Sequence, residues 1–418
     1  MPDRGAREYE LVVYGATGFT GALTAEYLAR NASGLRWALA GRNRSKLEAV
    51  RDRLVGIDPG LTELALIEAD AGRPESLARL AACTQVVIST VGPYINYGEP
   101  LVAACAQAGT DYVDLTGEPE FVDRMWLAHH AQAVRTGARL VHSCGFDSIP
   151  HDLGALFCVQ HLPEGVPLVV EGFVRAGGTF SGGTFHSAVT IMGRLRQGRQ
   201  IARERRRLED GPPAGRRVGM TSGVPRKVAA AGGWALPAPT IDPQVVLRSA
   251  AALDRYGPDF RYGHYIVVKQ LPIAAGLALG TGALVALSSL PPTRDALLRL
   301  KAPGDGPTPE QREKGWFKVC FIAQAGDSIG VQPRPTGSRL RHRAGGGQRV
   351  VCEVTGGDPG YGETAKMLAE SALCLARDEL APTAGQVTPA AAMGDALITR
   401  LQDAGIGFAV TQTTGDTR

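Results

Sequence analysis

The chain has 418 residues, 44% of them apolar and 21% charged, with a formal net charge of only +4. Two domains are expected at that length, and the near-balanced charge excludes a polyelectrolyte and gives no reason to expect a nucleic-acid partner. Seven scattered cysteines without a CxxC pair suggest neither a disulfide framework nor a metal cluster, so no metal ligands are assigned and a cytoplasmic, reducing setting fits; the first residues lack the apolar core of a secretion signal.

A β-branched run over residues 10–14 ends in Gly15, and Gly18 and Gly21 follow at three-residue steps. Residues 22–29 then read as a helix. A strand that turns through glycines into a helix makes a cradle for a dinucleotide. Gly15 allows the tight turn, Gly18 lets backbone approach a pyrophosphate, and Gly21 lets helix and strand pack closely. Thr17, Phe19 and Thr20 complete the loop, and the helix start offers free N–H groups to the anion.

Alternation then continues. Strands are expected at 35–41, 64–70, 85–91, 112–115 and 139–143, and helices at 45–54, from Pro74, at 99–108 and at 120–136. Ser45 is a candidate N-cap for the first of these helices. The pattern predicts an α/β fold whose N-terminal domain, residues 1–150, is a Rossmann-type doubly wound parallel sheet.

The end of the second strand reads Gly41-Arg42-Asn43-Arg44 and holds no acid. An Asp or Glu there would bind the ribose hydroxyls of NAD; Arg42 suits the 2′-phosphate of NADPH, its alternative being a solvated surface arginine. Asp70 either contacts the adenine side or caps the helix that follows. Gly92 and Pro93 end the fourth strand, where ligands of such sheets sit. Tyr94, next to them, either orients or protonates a substrate or is a packed loop aromatic. Asp147 and Ser148 lie where a strand end, a helix start and the domain boundary meet, and either touch ligand or cap the helix.

Residues 151–358 are expected to form a second, α+β domain on a mixed or antiparallel sheet, with strands at 168–174, 265–268, 318–323 and 349–354. It is the place for a substrate pocket and for any homo-oligomer contact. His186, at the end of a small-residue loop over 181–186, either hydrogen-bonds a substrate carbonyl or is structural. Residues 211–239, crowded with Pro, Gly and Arg, read as an extended loop. Tyr265 and Lys269 have a spacing that a helix would bring together, but Ile266, Val267 and Val268 between them are strand residues, which sets the pair well apart. The basic tract from Arg194 to Arg217 is either a solvated helix face or a docking patch for an acidic partner. Residues 271–290 carry no charge; a buried segment, peripheral membrane contact and a membrane span are the three readings of it. Residues 359–418 hold two further helices, at 364–378 and 390–401.

Gly15-Ala-Thr-Gly-Phe-Thr-Gly21, Ala40-Gly-Arg42, Val91-Gly-Pro-Tyr94 and Cys144-Gly-Phe-Asp-Ser-Ile-Pro150 together resemble the saccharopine-dehydrogenase-like oxidoreductases. Within that group the chain is most similar to the actinobacterial trans-acting enoyl reductases of complex lipid synthesis, to which Thr388-Pro-Ala-Ala-Ala-Met-Gly-Asp-Ala-Leu397 also corresponds. The resemblance implies an NADPH-dependent reductase of the C=C bond in an acyl thioester held on a carrier protein, with Tyr94, Asp147, Ser148 and His186 as site candidates and the arginine tract as the carrier's dock. It also implies that the C-terminal helices return to the nucleotide domain. Two alternatives stand beside it: reduction of a C=N bond in an amino-acid-derived substrate, and a non-catalytic NADP(H)-binding sensor.

Overall fold

A computed structural model gives the structure of the chain and describes residues 4–177, 189–238, 240–270, 308–326 and 347–414, with single positions and short runs between 272 and 299. The first domain runs β1 (Tyr9–Tyr14), α1 (Phe19–Asn31), β2 (Trp37–Gly41), α2 (Arg44–Val55), β3 (Ala65–Glu68), α3 (Pro74–Cys83), β4 (Thr84–Ser89), α4 (Tyr94–Tyr97), α5 (Glu99–Ala108), β5 (Asp111–Asp114), α6 (Pro119–Thr136) and β6 (Arg139–Val141). Then come α7 (Ile149–Gln160), β7 (Leu168–Gly177), α8 (Leu195–Leu208), β8 (Arg217–Met220), β9 (Arg226–Val228), β10 (Gly233–Pro237), α9 (Asp242–Ala252) and β11 (Asp259–Val268). The chain closes with α10 (Pro291–Arg299), α11 (Pro309–Glu313), β12 (Trp316–Ala325), β13 (Arg349–Gly356), α12 (Gly362–Arg377), β14 (Gly385–Val387), α13 (Pro389–Asp403) and β15 (Gly407–Thr414).

The first sheet is parallel and ordered β14-β6-β5-β4-β1-β2-β3. Its strands read as near-continuous apolar runs because helices cover both faces. On β1, Leu11 and Val13 enter one core and Val12 and Tyr14 the other, as the two-residue period of a strand requires. The chain reverses direction of growth between β3 and β4, so the carboxyl ends of β1 and β4 open a crevice there, the usual ligand site of such a sheet.

The second sheet is mixed, ordered β15-β13-β12-β7-β11-β10-β9, with β8 pairing β11. β7 runs parallel to β11 and antiparallel to β12. Its inner face packs on α7, and one apolar cluster runs from Leu11 and Val13 through Leu153 and Leu156 of α7 to Phe321 and Val354. The two sheets are therefore joined by shared packing rather than by a linker.

Three expectations need correction. Residues 211–239 hold β8, β9 and β10: β8 and β10 pair the later strand β11, and β9 pairs β10. β14 extends the first sheet to seven strands, and β15 edges the second. The N-cap of α2 is Asn43, whose side chain accepts from Lys46 N at 2.9 Å, so the helix starts before Ser45. Tyr265 and Lys269 follow the strand reading: Tyr265 lies on β11 with its hydroxyl between Arg226 and Glu171. His186 lies outside the described residues, as does most of 271–290; among the described residues no helix is long and apolar enough to cross a membrane.

Candidate active site

The glycine turn after β1 is pressed into place by its neighbours. Gly15 has φ of +89°, and a Cβ there would meet Thr90 Oγ1 and Val91 Cγ2, both at 2.7 Å. A Cβ on Gly21 would stand 2.2 Å from Gly15 O, so no side chain is tolerated where α1 crosses the strand end. Gly18 differs: a Cβ there would touch only Gly15 O, at 3.3 Å, leaving its outer side open. Gly18 is also the N-cap of α1 and supplies no side-chain cap, so the first N–H groups of the helix await an outside acceptor. Thr17 is exposed beside it, the Thr20 carbonyl is used by Thr24 Oγ1, and the Phe19 ring packs edge-on to Tyr361 at 4.6 Å. The cradle fits a dinucleotide pyrophosphate.

Arg42, just past β2, is exposed and forms no ion pair among the described residues. Its neighbour Arg44 is tied to Leu66 O and Glu48. Asp70 turns the chain into α3, with Oδ1 accepting from Gly72 N at 2.9 Å. Tyr14 lies by both groups: burial, then Asp70, raises its hydroxyl pKa, while a hydrogen bond to the Ala71 backbone and the charge of Arg42 pull it down.

The corner after β4 is built around Tyr94, with Gly92 and Pro93 leading into it. Its hydroxyl donates to Ser89 O at 2.9 Å and accepts from Leu115 N at 3.2 Å, and the ring is 7% exposed. Burial holds its pKa well above the usual tyrosine range. The geometry thus gives Tyr94 the part of a packed wedge with both hydroxyl functions spent on backbone. Glu118 caps the short helix α4, accepting from Tyr94 N at 3.1 Å and Ile95 N at 2.8 Å.

One residue that the sequence does not single out organises the next corner. Asp114, fully buried at the end of β5, accepts from Thr116 N at 3.0 Å, Ser143 N at 2.9 Å and Tyr112 Oη at 3.1 Å, and lies 2.7 Å from His142 Nδ1. It ties the ends of β5 and β6 together and holds Ser143 at φ of +63°, a backbone state that non-glycine residues rarely adopt. Nothing local in the sequence marks an aspartate as such a hub.

The loop from Cys144 to Pro150 then crosses the crevice. Phe146 N donates to Thr364 Oγ1 at 3.1 Å. Ser148 occupies the N-cap position of α7, but its side chain caps nothing; the hydroxyl is buried and unpaired. Asp147 stands against Gly117, where a Cβ would begin 2.9 Å from Asp147 Oδ2. Its side chain is open to solvent yet sits deep between protein walls, and desolvation by those walls pushes its carboxyl up to about 6.

An apolar cleft of about 210 Å³ opens between α4, the start of α6 and α8. Ile95 and Pro119 line one side, and Ile191, Leu195 and Ala202 the other. Arg194 faces it but is paired bidentately with Glu120, at 2.8 and 2.7 Å. Arg205, deeper in α8, is 3% exposed and bonded to Asp123 and Glu209. Arg216 donates to Ala250 O and Leu253 O. The basic tract is therefore divided: these three serve the fold, while Arg196, Arg199, Arg203, Arg206 and Arg207 are exposed on α8.

Residues 11–141 match the model of the saccharopine dehydrogenase NADP-binding domain. The chain is 38% identical to a Mycobacterium tuberculosis protein named as a trans-acting enoyl reductase, over 97% of this chain and 98% of that one. It is 36% identical to the trans-acting enoyl reductase of Mycobacterium ulcerans, with the same coverage. Among solved structures, apo saccharopine dehydrogenase (L-Glu forming) from Saccharomyces cerevisiae is similar with a TM-score of 0.55 over 97% of this chain and 100% of that chain; at 12% identity this is a likeness of fold.

Proposed function

The chain belongs to the saccharopine-dehydrogenase-like family of NADP-binding oxidoreductases, among the proteins named trans-acting enoyl reductases, and we propose that it reduces the C=C bond of an α,β-unsaturated acyl thioester with NADPH. The observation that carries this reading is the apolar cleft beside the Gly92–Pro93 corner. Its walls suit an acyl chain. An amino-acid imine would instead need a cation for its carboxylate; of the two arginines that line the cleft, Arg194 is already neutralised by Glu120 and Arg199 stands at the exposed rim.

Gly15, Gly18 and Gly21 with the start of α1 would hold the pyrophosphate, and Arg42 the 2′-phosphate. Bound NADPH would supply a hydride to the β-carbon, and a proton from water would complete the reduction at the α-carbon. The protein's own part is to steady the negative charge that then builds on the thioester oxygen. We assign that donation to Ser148, whose buried hydroxyl has no other partner. Asp147, the preceding residue, holds a proton at its carboxyl below about pH 6. Exposed Arg199 and Arg203 on α8 would receive an acidic carrier protein and bring its thioester to the cleft mouth.

Filling the cleft tests this assignment. Ala202→Trp is expected to raise KM for a long-chain enoyl thioester by about tenfold or more, equivalent to about 1.4 kcal/mol, with the NADPH Kd unchanged. An unchanged KM would place the acyl chain elsewhere.

A further inference from the structure

Behind the floor of the cleft, three polar side chains from three separate elements meet in the interior. His151 comes from the first turn of α7, Asp242 opens α9, and His264 lies on β11. They are 2%, 3% and 4% exposed. His264 points inward because it shares a strand face with Phe260 and Tyr262. His151 follows Ser148 within the same turn, so the group sits directly behind the loop that crosses the crevice.

The spacing between these groups is unusual for buried partners. His151 Nε2 lies 3.4 Å from Asp242 Oδ1, and His264 Nε2 lies 3.4 Å from Asp242 Oδ2. A hydrogen bond from an imidazole to a carboxylate closes to about 2.7–2.9 Å. Asp242 Oδ1 and His151 Nδ1 have no hydrogen-bond partner, and a buried carboxylate left in that state is costly. Two donors held about 2.0–2.1 Å from one tetrahedral cation, by contrast, stand roughly 3.3–3.4 Å from each other; each imidazole has that spacing to a different oxygen of Asp242, so a shared cation would draw the set closer together. The ligand atoms of all three residues lie within 4.8 Å of one another, the one such group among the described residues. His264 Nδ1 is 3.2 Å from Tyr262 Oη, an outer partner that aims Nε2 at the shared centre. The Phe146 ring packs edge-on to His151 at 5.4 Å, keeping an apolar wall at the site.

We propose that His151, Asp242 and His264 form a three-ligand site for a divalent transition-metal cation of the zinc class, which pins α7 to the second sheet behind the substrate cleft. Two imidazoles and one carboxylate favour zinc over calcium or magnesium, which take all-oxygen shells. Three protein ligands leave one coordination position for a water or an exogenous oxygen. No spacing in the sequence announces the site, because its ligands are assembled by the packing of α7 and α9 on β11.

The test is metal content, which does not depend on what the cleft reduces. The full-length protein is purified, stripped with a chelator, titrated with Zn²⁺, and analysed by mass spectrometry for bound metal. One zinc per chain with a Kd below about 1 μM is expected for the parent. Asp242→Asn and His264→Gln are expected to weaken it at least tenfold. A parent chain that takes up no stoichiometric zinc overturns the proposal, and so does equal uptake by parent and both variants. If the variants do not fold, anomalous scattering at the zinc edge from crystals of the parent decides: a peak between the three side chains supports the site, and its absence there overturns it.

Discussion

At the end of β2 the fold leaves the Arg42 guanidinium exposed beside a glycine turn that is closed to side chains at Gly15 and Gly21. A charged hydrogen bond to a 2′-phosphate contributes about 1.5–3 kcal/mol, so Arg42→Asp is expected to weaken NADPH binding roughly tenfold to a hundredfold while leaving NADH nearly unchanged. Titration of both cofactors measures the ratio; an unaltered preference would mean that Arg42 does not read the phosphate. Asp147 makes a second prediction. Desolvation lifts its carboxyl from the ordinary aspartate range to about 6, so the unfolded chain releases this proton first as pH rises. Between about pH 4 and 6 the folded state binds more protons at this position, and stability falls as pH rises through that window, then levels. Asp147→Asn removes the penalty. Urea unfolding is expected to find the variant more stable than the parent above pH 6, with the difference vanishing towards pH 4; a constant difference across the range would contradict the raised pKa.

At the scale of elements, α8 is fastened to the first domain by a buried charge cluster. Asp123 on α6 accepts from Arg205 at 3.1 Å, from Gln244 at 2.9 Å and from Arg248 at 2.5 Å, and Arg205 also stacks over Trp126 at 4.9 Å. Asp123→Ala would take the shared counter-charge from Arg205 and Arg248 and leave them only Glu209, which already pairs Arg205. Removing one member of such a buried set costs about 3–5 kcal/mol, and denaturant unfolding should show a loss of that size; a loss under about 1 kcal/mol would mean the cluster is solvated. This cluster also marks where sequence reading stops. The glycine turn, the helix start at Pro74 and the apolar strands of the first sheet are local signals, and they are legible as written. The roles of Asp114, Glu118 and Asp123 are set by partners far along the chain. β8, β9 and β10 are hidden because short strands rich in Pro, Gly and Arg take their identity from their partners, β11 for β8 and β10, and β10 for β9. Tyr94 is the converse case: its position at the strand end pointed to the ligand, while its hydroxyl is consumed by Ser89 and Leu115.

At the scale of the whole molecule, the C-terminal segment binds the two sheets into one body. β14 lies on β6 of the first sheet, β15 on β13 of the second, and α12 reaches α1 through Tyr27 Oη and Glu370 at 2.7 Å. The cofactor edge, the desolvated Asp147 and the apolar cleft are thereby held in fixed relation, with the exposed arginines of α8 at the rim. The reaction proposed for this assembly is reduction of the C=C bond of a thioester. The most direct measurement is NADPH consumption with enoyl thioesters on a carrier protein, run beside a panel of amino-acid imines. Turnover of the carrier-bound enoyl substrates, falling as salt screens the arginine face, is the predicted result; turnover of the imines alone would contradict it.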